Sequence, residues 1–410
     1  MKEFLEKAKQ SSSVLATLST KTKNTILHEM ADALEANSAT IIEKNGFDLE
    51  YAKANNLSSS LIDRLVLNET RISAMAEALR EIAQLKEPVG RVLDGWITED
   101  GLKIEKVAIP IGVIGIIYES RPNVTSDTAA LNFKSGNVCI LKGGKEAQNS
   151  NEIIASTLQD VLVKNNLPKE MISLLPDSSR EGVAKLIKED KYVDLIIPRG
   201  GEALIRYISE NSSVPVVKHD KGLCHTYLDK DADFDKAVKI AINAKCDRPG
   251  VCNAMETLII DKAVAKELLP ILQKEFDKYH TQLLGDSDTQ AIIDVLQATE
   301  EDFDTEYLAN TLSIKVVDGV DEAIAHITKY GSGHSEAIIT ENYTTANYFQ
   351  NRVDAACVYV NASTRFTDGG AFGFGAEVGI STNKLHSRGP MGINDLTTYK
   401  YIVTGDGQIR

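Results

Sequence analysis

The segment that decides the fold is VAIPIGVIGIIY, residues 107–118, an almost unbroken apolar run that leads into a polar loop. Such a run is typical of a strand that is buried on both faces of a parallel sheet. Further short apolar segments follow, with helical periods between them, at residues 138–141, 172–175, 193–197 and 214–217. This alternation predicts a parallel sheet wound with helices, and such sheets bind ligands at the carboxyl ends of their strands. We therefore expect a nucleotide-binding domain around this sheet.

The chain before this segment predicts packed helices followed by a hairpin. Apolar residues recur at helical spacing in two groups, Ile26, Leu27, Met30, Ala31 and Leu34, and then Ile72, Met75, Ala76, Leu79 and Ile82. Two alternating segments within residues 97–107 flank an Asp100-Gly101 turn, which indicates a hairpin that could project from the body. The strand-like tail, residues 396–403, could pair with this hairpin or with a neighbouring subunit.

The chain after the first sheet shows a second alternation of strands and helices. Its apolar segments are residues 257–260, 313–317, 337–340 and 357–360. We predict a nucleotide-binding domain over residues 1–225, with the hairpin at about 96–108, and a catalytic domain over residues 226–385. Residues 386–410 are predicted to form a C-terminal segment that contributes an oligomerisation strand.

Composition excludes several classes of protein. The 410-residue chain is 43% hydrophobic and 25% charged, with a formal net charge of −14. The negative charge argues against nucleic acid or an anionic membrane surface as the main partner. The first residues, MKEFLEK, form no apolar signal core, and no stretch approaches the roughly 18 apolar residues of a membrane-spanning helix. We therefore expect a cytoplasmic protein.

The cysteines argue against disulfides and against a metal centre. There are five of them, Cys139, Cys224, Cys246, Cys252 and Cys357. The number of cysteines is odd, the chain is long, and at least two of the cysteines lie in apolar strand-like runs. A disulfide framework is therefore not expected. Cys246, Cys252 and His225 lack the spacing of zinc ligands, so no metal site is predicted.

Cys252 lies where a catalytic residue would be expected. The surrounding stretch, residues 245–257, reads KCDRPGVCNAMET and joins a predicted helix at residues 234–245 to the strand that begins at Thr257. Catalytic groups concentrate at such junctions, and a thiolate there is a nucleophile. A free cysteine can equally be a small buried apolar residue, so the segment alone leaves both interpretations open until partners elsewhere are identified.

Motifs spread over nearly the whole chain resemble the aldehyde dehydrogenase superfamily. No G-x-G-x-x-G follows the first strand, so the common dinucleotide fingerprint is missing. Its place is taken by the loop YESRPNVT at 118–125, the strand end LKGGK at 141–145, the turn RGG at 199–201, and Cys252 far downstream. Four motifs are similar to the branch of the superfamily that acts on L-glutamyl 5-phosphate: IPRGG (197–201), CDRPGVCN (246–253), YVNASTRFTDGG (359–370) and KLHSRGPMG (384–392). The sequence departs from many relatives at residues 219–221.

The resemblance implies an aldehyde dehydrogenase-like α/β fold, with two α/β domains, parallel-type sheets and a projecting oligomerisation hairpin. It further implies a homo-oligomeric enzyme that uses NADPH to reduce L-glutamyl 5-phosphate to L-glutamate 5-semialdehyde and phosphate. This is the second step of proline biosynthesis from glutamate, and the glutamate 5-kinase that makes the substrate is a candidate partner. Three alternatives remain open: an acylating dehydrogenase that uses coenzyme A, a catalytically silent relative, and a nucleotide-binding regulatory module.

The same resemblance implies roles for two residues in the reaction. Cys252 would attack the acyl carbon and form a thioester, and Asn123 with the Cys252 N–H would stabilise the oxyanion. Asn123 could instead be an ordinary loop or helix-cap residue. Relatives that hydrolyse their thioester use a glutamate base that precedes the cysteine, yet residues 211–255 contain no glutamate. This absence favours a thioester that hydride or phosphate resolves, with Asp220 as the alternative base.

Cofactor and substrate contacts are implied in the same way. Lys142 would hold the adenosine ribose, and Lys145 would favour the 2′-phosphate of NADPH, although both could be solvated lysines. Gly200 lies in the glycine turn after a strand, and Glu306 would reach the nicotinamide ribose. The candidate contacts to the substrate's phosphate or α-carboxylate are Arg121, Arg365, His386 and Arg388. Structural ion pairs would explain each of these four equally well.

Overall fold

The computed structural model describes residues 1–217 and 221–410, which form two compact units. The first unit contains residues 1–217, 374–379 and 391–410, and the second contains residues 221–373 and 380–390. The predicted boundary at residue 225 lies inside a strand of the second unit, and the predicted C-terminal segment is shared between the units. The functions assigned to the two domains stay predictions.

The first unit begins with helices whose apolar stripes are buried as predicted. These helices are α1 (Lys2–Leu15), α2 (Thr20–Ala36), α3 (Ser38–Ala54), α4 (Ser59–Leu65) and α5 (Glu69–Gln84). Both predicted groups of apolar residues lie in the core, on α2 and α5. The side chains of Ser19 and Asn68 accept hydrogen bonds from the first turns of these two helices, which fixes where each helix begins.

A three-stranded antiparallel sheet follows, and the tail of the chain completes it. Strands β1 (Val92–Ile97) and β2 (Lys103–Pro110) form the predicted hairpin, with Gly101 at φ +82° in the turn. The last strand of the chain, Thr397–Thr404, pairs antiparallel with β2, so that Thr397 lies opposite Pro110. Of the two partners that the sequence left open for the tail, the structure therefore shows the hairpin.

The parallel sheet of the first unit has four strands in the order β5-β4-β3-β6. Its elements are β3 (Val113–Tyr118), α6 (Asn123–Lys134), β4 (Val138–Lys142), α7 (Gln148–Lys164), β5 (Ile172–Leu174), α8 (Arg180–Leu186), β6 (Leu195–Arg199) and α9 (Glu202–Asn211). Every residue of β3 is buried, as the apolar run predicted. The central strands therefore end at a single edge of this sheet.

Two local details differ from the sequence prediction. The run 107–118 is divided between β2 and β3, because Pro110 lacks an N–H and Gly112 adopts φ +133°. A Cβ on Gly112 would lie 2.2 Å from Asp194 Oδ2, so only glycine fits there. Residues 214–217 form no ladder but a single parallel bridge, Ile196 to Val216, because Pro215 cannot donate a hydrogen bond.

The second unit is built on a seven-stranded parallel sheet in the order β10-β9-β11-β8-β7-β12-β13. Its strands are β7 (Cys224–Leu228), β8 (Met255–Asp261), β9 (Gln282–Gly285), β10 (Leu296–Gln297), β11 (Thr311–Val317), β12 (Ser335–Ile339) and β13 (Cys357–Val360). The helices are α10 (Phe234–Cys246), α11 (Lys262–Asp277), α12 (Ser287–Gln290), α13 (Glu300–Phe303), α14 (Val320–Tyr330) and α15 (Tyr343–Arg352). All four strands that the sequence predicted here are present.

The remaining strands are β14 (Gly379–Ser381) and β15 (Gly389–Met391), which form a two-stranded sheet, and β16 (Thr397–Thr404), the tail strand described above. Among the residues that the structure describes, no helix combines the length and the apolar character needed to cross a membrane.

Candidate active site

Cys252 lies half-buried in the loop between α10 and β8 of the second unit. Pro249 and Gly250 follow the end of α10, and neither residue favours continuation of the helix. A turn closes the loop, because the Ala254 N–H donates to the Val251 carbonyl at 3.0 Å. The thiol is therefore presented from a short loop rather than from a regular element, as predicted.

The backbone of Cys252 packs directly against the chain that leads into β7. The Cys224 thiol donates to the Cys252 carbonyl oxygen at 3.3 Å. A Cβ placed on Gly222 would lie 2.1 Å from the same oxygen and 2.6 Å from Cys252 Cα. Gly222 therefore has no room for a side chain, and its close approach holds Cys252 from one side.

Asn253 fixes the other side of the loop to the segment that follows β13. Its Nδ2 donates to the Thr367 carbonyl at 2.8 Å, and the Thr364 hydroxyl donates to the Asn253 carbonyl at 2.8 Å. Arg365 Nη1 donates to Asn253 Oδ1, and Arg365 Nε lies 3.1 Å from Asp247 Oδ2. The structure thus brings together the motifs at 246–253 and 359–370.

The two predicted arginine contacts in the second unit already have partners within the protein. Arg365 pairs with Asp247, as described above, and Arg388 Nη1 donates to Asp354 Oδ1 at 2.7 Å. Lys384 also pairs with Asp354. His386 is exposed, with φ +68°. The ion pairs agree with the structural alternative for the two arginines, and contact with a substrate stays a prediction for all of them.

The five cysteines are free thiols, and they differ in their access to solvent. Cys139, Cys224 and Cys357 are buried, while Cys246 and Cys252 are half-buried. Burial raises the pKa of Cys139 to about 12, and it raises the pKa values of Cys224, Cys246 and Cys357 as well. These four thiols are therefore held in the protonated, unreactive form at neutral pH.

Asn123 is the first residue of α6 in the first unit, and its carboxamide is exposed. Its Nδ2 donates to Asp127 Oδ2 at 2.9 Å, one helical turn further on. Desolvation raises the pKa of Asp127 to about 6, although hydrogen bonds from Asn123 and Ser126 oppose the shift. The side chain is thus held by a neighbour on its own helix and caps nothing. Arg121 is exposed in the preceding loop.

Lys142 ends β4 and lies half-buried at the predicted binding edge. Desolvation lowers its pKa, and the charges of Glu146 and Glu119 act in the opposite direction. Lys145 is exposed at the start of a short 3-10 helix. A Cβ on Gly143 would lie 2.1 Å from Asn151 Nδ2, so the turn between the two lysines needs glycine.

Gly200 follows β6 at the same edge of the sheet. The next residue, Gly201, is the N-cap of α9, and its N–H donates to Glu119 Oε2 at 3.1 Å. A Cβ on Gly200 would approach the Glu119 carboxyl carbon to 2.8 Å. Asn123, Lys142 and Gly200 therefore follow the carboxyl ends of three neighbouring strands, where a parallel sheet binds its ligands.

Glu306 lies half-buried in the second unit, in the segment between α13 and β11. Its charge contributes to raising the pKa values of Glu256 and Cys224. It is therefore close to the base of the Cys252 loop. The alternative base Asp220 lies outside the described residues, as does most of the departure at 219–221.

The sequence reasoning missed two buried pairs in the second unit. Lys245 Nζ lies 2.6 Å from Glu256 Oε2, and His225 Nδ1 lies 2.9 Å from Glu336 Oε2. Burial raises the pKa of Glu256 to about 7 and also raises that of Glu336. The available signal was a glutamate in each of two mainly apolar strands, β8 and β12, since a charge in a buried strand needs a partner.

Comparison with known proteins gives consistent matches over the full length of the chain. The pattern of the "Aldehyde dehydrogenase family" matches residues 1–300 and 289–402. A "Gamma-glutamyl phosphate reductase" of Sulfurovum sp. is 71% identical over 410 residues and covers 100% of both chains. The crystal structure of a gamma-glutamyl phosphate reductase from Thermotoga maritima superposes with a TM-score of 0.98 at 47% identity, covering 100% of this chain and 99% of that one.

A more distant structure shows the fold alone. The glyceraldehyde-3-phosphate dehydrogenase of Methanocaldococcus jannaschii, which was solved with NADP, gives a TM-score of 0.70 at 16% identity, with 99% and 94% coverage. The sequence resemblance and the predicted α/β fold are confirmed by these matches.

Proposed function

Since the chain belongs to the aldehyde dehydrogenase family, and within it to the gamma-glutamyl phosphate reductases, we propose that it reduces L-glutamyl 5-phosphate to L-glutamate 5-semialdehyde and phosphate. This is the second step of proline biosynthesis from glutamate. Enzymes of this family use a nicotinamide cofactor. The observation that carries the proposal is the half-buried Cys252 in a loop that is fixed on both sides, while burial keeps the four other thiols protonated.

Cys252 is the proposed nucleophile. Its thiolate attacks the acyl carbon, a sulfur–carbon bond forms, and the carbon–oxygen bond to phosphate breaks, so that phosphate leaves with the electron pair. The cofactor supplies the hydride that reduces the resulting thioester. The carbon–sulfur bond then breaks, which releases the aldehyde and regenerates the thiolate. The fixed loop supports this role because a nucleophile must be held within about 3–3.5 Å of the reacting carbon.

Asn123 is the proposed side-chain donor to the oxyanion that forms on the acyl oxygen. Its carboxamide carries two N–H bonds, and Asp127 accepts one of them. The other N–H can donate to a ligand, and the contact with Asp127 restricts how the amide rotates. A preorganised donor of this kind contributes about 2.7–4 kcal/mol to the stabilisation of a transition state.

We propose NADPH as the cofactor, held at the carboxyl edge of the first sheet. The residues present there suit a phosphorylated dinucleotide, since Lys142 and Lys145 supply cations and Gly200 lies in the turn at the same edge. Lys142 would contact the ribose, and Lys145 would contact the 2′-phosphate. Glu306 would contact the nicotinamide ribose.

The substrate's anionic groups need basic partners. We propose that these come from Arg121, Arg365, His386 and Arg388. Arg365 is the best supported of the four, because its guanidinium contacts Asn253, the residue next to the nucleophile. A cation at this position can bind the substrate while it retains its contact with Asp247.

We also propose that the chain forms a homo-oligomer through the sheet β1-β2-β16. Every residue of β1 is exposed, and Trp96 and Ile97 are 44% and 71% exposed. Strand β16 adds the exposed side chains of Ile402 and Val403. An apolar sheet surface of this kind usually marks an interaction site. Light scattering would measure the mass of the wild type and of an Ile97→Lys variant, and equal monomeric masses would contradict the proposal.

The decisive experiment follows NADPH formation from glutamate 5-semialdehyde in the presence of phosphate, arsenate, coenzyme A or no added acceptor. We expect steady turnover with phosphate or arsenate, because these anions resolve the thioester on Cys252. Without an acceptor we expect at most a single burst, since residues 211–255 offer no glutamate to activate water. Steady production of glutamate without phosphate would show a hydrolytic dehydrogenase, and steady turnover with coenzyme A alone would show an acylating one.

A further inference from the structure

A fully buried ion pair closes the loop that carries Cys252. Lys245 lies in the last turn of α10, and Glu256 is the second residue of β8. Lys245 Nζ and Glu256 Oε2 are 2.6 Å apart, and the two side chains are 0% and 1% exposed. The entire loop between the helix and the strand, including the thiol, is contained between these two residues.

Stability alone does not explain this pair. Desolvation lowers the pKa of Lys245 and raises that of Glu256 to about 7, so burial opposes both charges. An apolar pair of similar size is often as stable as a buried ion pair, or more stable by about 1–4 kcal/mol. The other buried residues of α10 are alanines, so an apolar contact would suit this face of the helix. The pair is therefore better explained by the geometry that it imposes.

Glu256 also contacts a second segment of the unit. The Leu308 N–H is 3.4 Å from Glu256 Oε1, and a Cβ on Gly250 would lie 3.5 Å from the Leu308 carbonyl oxygen. Leu308 has φ +50°, a left-handed conformation that costs a residue with a side chain about 1–3 kcal/mol. Such a conformation persists only where its surroundings hold it, and the Glu256 carboxylate is one of the groups that do so.

The segment around Leu308 also carries Glu306, the proposed contact to the nicotinamide ribose. One carboxylate, Glu256, thus contacts the end of the helix that precedes Cys252 and the backbone two residues after Glu306. Hydrogen bonds to a charged group are directional, and the one from Lys245 is short at 2.6 Å, whereas an apolar contact would allow the segments to slide.

We infer that Lys245 and Glu256 are positioning residues, which hold the Cys252 loop and the Glu306 segment in the arrangement that the reaction needs. Both side chains are buried, and they act through the backbone that they fix. The inference deepens the proposed function and rests on it for the reaction that the pair serves.

The test replaces the whole pair, because removal of one partner would leave an unpaired buried charge and could unfold the protein. The variant is Lys245→Met/Glu256→Leu. Its matched control is Lys23→Met/Glu87→Leu, which removes an ion pair of 2.5 Å in the first unit, with side chains 2% and 19% exposed. A Lys245→Met/Glu256→Gln variant retains an acceptor for the Leu308 N–H. It would be compared with the wild type and the control in its place if the leucine variant does not fold.

Thermal unfolding, steady-state kinetics and the rate of Cys252 alkylation by iodoacetamide would be measured for each variant. We expect the Lys245→Met/Glu256→Leu variant to unfold at the wild-type temperature or above it. Its kcat should nevertheless fall by about tenfold or more, with KM for glutamyl phosphate nearly unchanged, because a misplaced nucleophile slows the chemical step. The alkylation rate should change too, and the control should match the wild type in both readouts.

A folded variant with wild-type kcat and a wild-type alkylation rate would overturn the inference. An equal loss of kcat in the control would overturn it as well, because the effect would then be a general cost of removing a buried ion pair. Failure of the proposed function has a different signature: the wild type would not reduce glutamyl phosphate. In that case the alkylation rates would still show whether the ion pair positions the Cys252 loop.

Discussion

A single methyl group on Gly222 should disable the site without unfolding the protein. In a Gly222→Ala variant the new Cβ would lie 2.1 Å from the Cys252 carbonyl oxygen, where real contacts are not shorter than 3.0 Å. The backbone of Cys252 must therefore move by about 1 Å, a displacement that can cost about 100-fold in rate. This loss corresponds to about 2.7 kcal/mol of activation free energy. The loop has little freedom to absorb the movement, since the Cys224 thiol and the Asn253 side chain hold it.

The assay compares kcat for NADPH-dependent reduction with the rate of Cys252 alkylation, and thermal unfolding shows that the variant is folded. Gly46→Ala is the matched control. Gly46 lies within α3, and a Cβ there has no atom within 4 Å, so this substitution should raise stability by about 0.5–1 kcal/mol and leave kcat unchanged. If folded Gly222→Ala keeps wild-type turnover and alkylation, the geometry derived for the Cys252 loop is wrong.

Three further outcomes are expected. Cys252→Ala should fold normally but show no turnover, and turnover by this variant would contradict the thioester mechanism. In the wild type, mass spectrometry should find that iodoacetamide alkylates Cys252 before any other thiol. Lys145→Glu should weaken the binding of NADPH far more than that of NADH, because it replaces attraction to the 2′-phosphate with repulsion. An equal loss of affinity for both cofactors would contradict the proposed contact between Lys145 and the 2′-phosphate. The pKa of Asp127 is raised to about 6, so its contribution to stability is complete below its ordinary pKa of 3.8 and is lost as pH rises through 6. Urea unfolding should therefore show the free energy of unfolding of the wild type falling relative to that of Asp127→Asn between about pH 4 and pH 6, and parallel curves would contradict the raised pKa.

Local patterns in the sequence predicted most of the secondary structure. The stripes on α2 and α5, the buried β3 and the strands β8, β11, β12 and β13 follow from hydrophobic periodicity, which depends only on neighbouring residues. The sequence reasoning did not assign β7, because its segment Cys224-His225-Thr226-Tyr227-Leu228 is neither a continuous apolar run nor an alternating one, with His225 and Thr226 side by side, although all five residues are buried. A strand in the centre of a sheet can carry buried polar groups only when partners from distant parts of the chain satisfy them.

The candidate site was likewise predicted only in part from the sequence. Its motifs were named from a family resemblance, which also implied that Cys252 is the nucleophile, but the contacts that hold Cys252 join residues far apart in the chain. Asn253 and Thr367 are separated by 114 positions, and His225 and Glu336 by 111. No local pattern contains such a pairing, and the close approach of Gly222 to Cys252 is visible only in three dimensions. The pairing of Arg365 with Asp247 likewise emerged only from the fold.

The buried carboxylates bear directly on whether water can resolve the proposed thioester. Residues 211–255 contain no glutamate, but Glu256 and Glu336 lie in the same unit as Cys252 and could in principle supply a base. Glu256 is 1% exposed and bonded to Lys245 at 2.6 Å, and Glu336 is 0% exposed and accepts from both the ring and the backbone N–H of His225. A general base must be within hydrogen-bond reach of the water that it activates, and neither carboxylate meets bulk solvent. Burial thus argues against Glu256 and Glu336 as bases, and a single Lys245→Met variant would test this for Glu256. If release of Glu256 from its partner gave a folded enzyme that produces glutamate without phosphate, the ion pair would be what prevents hydrolysis of the thioester.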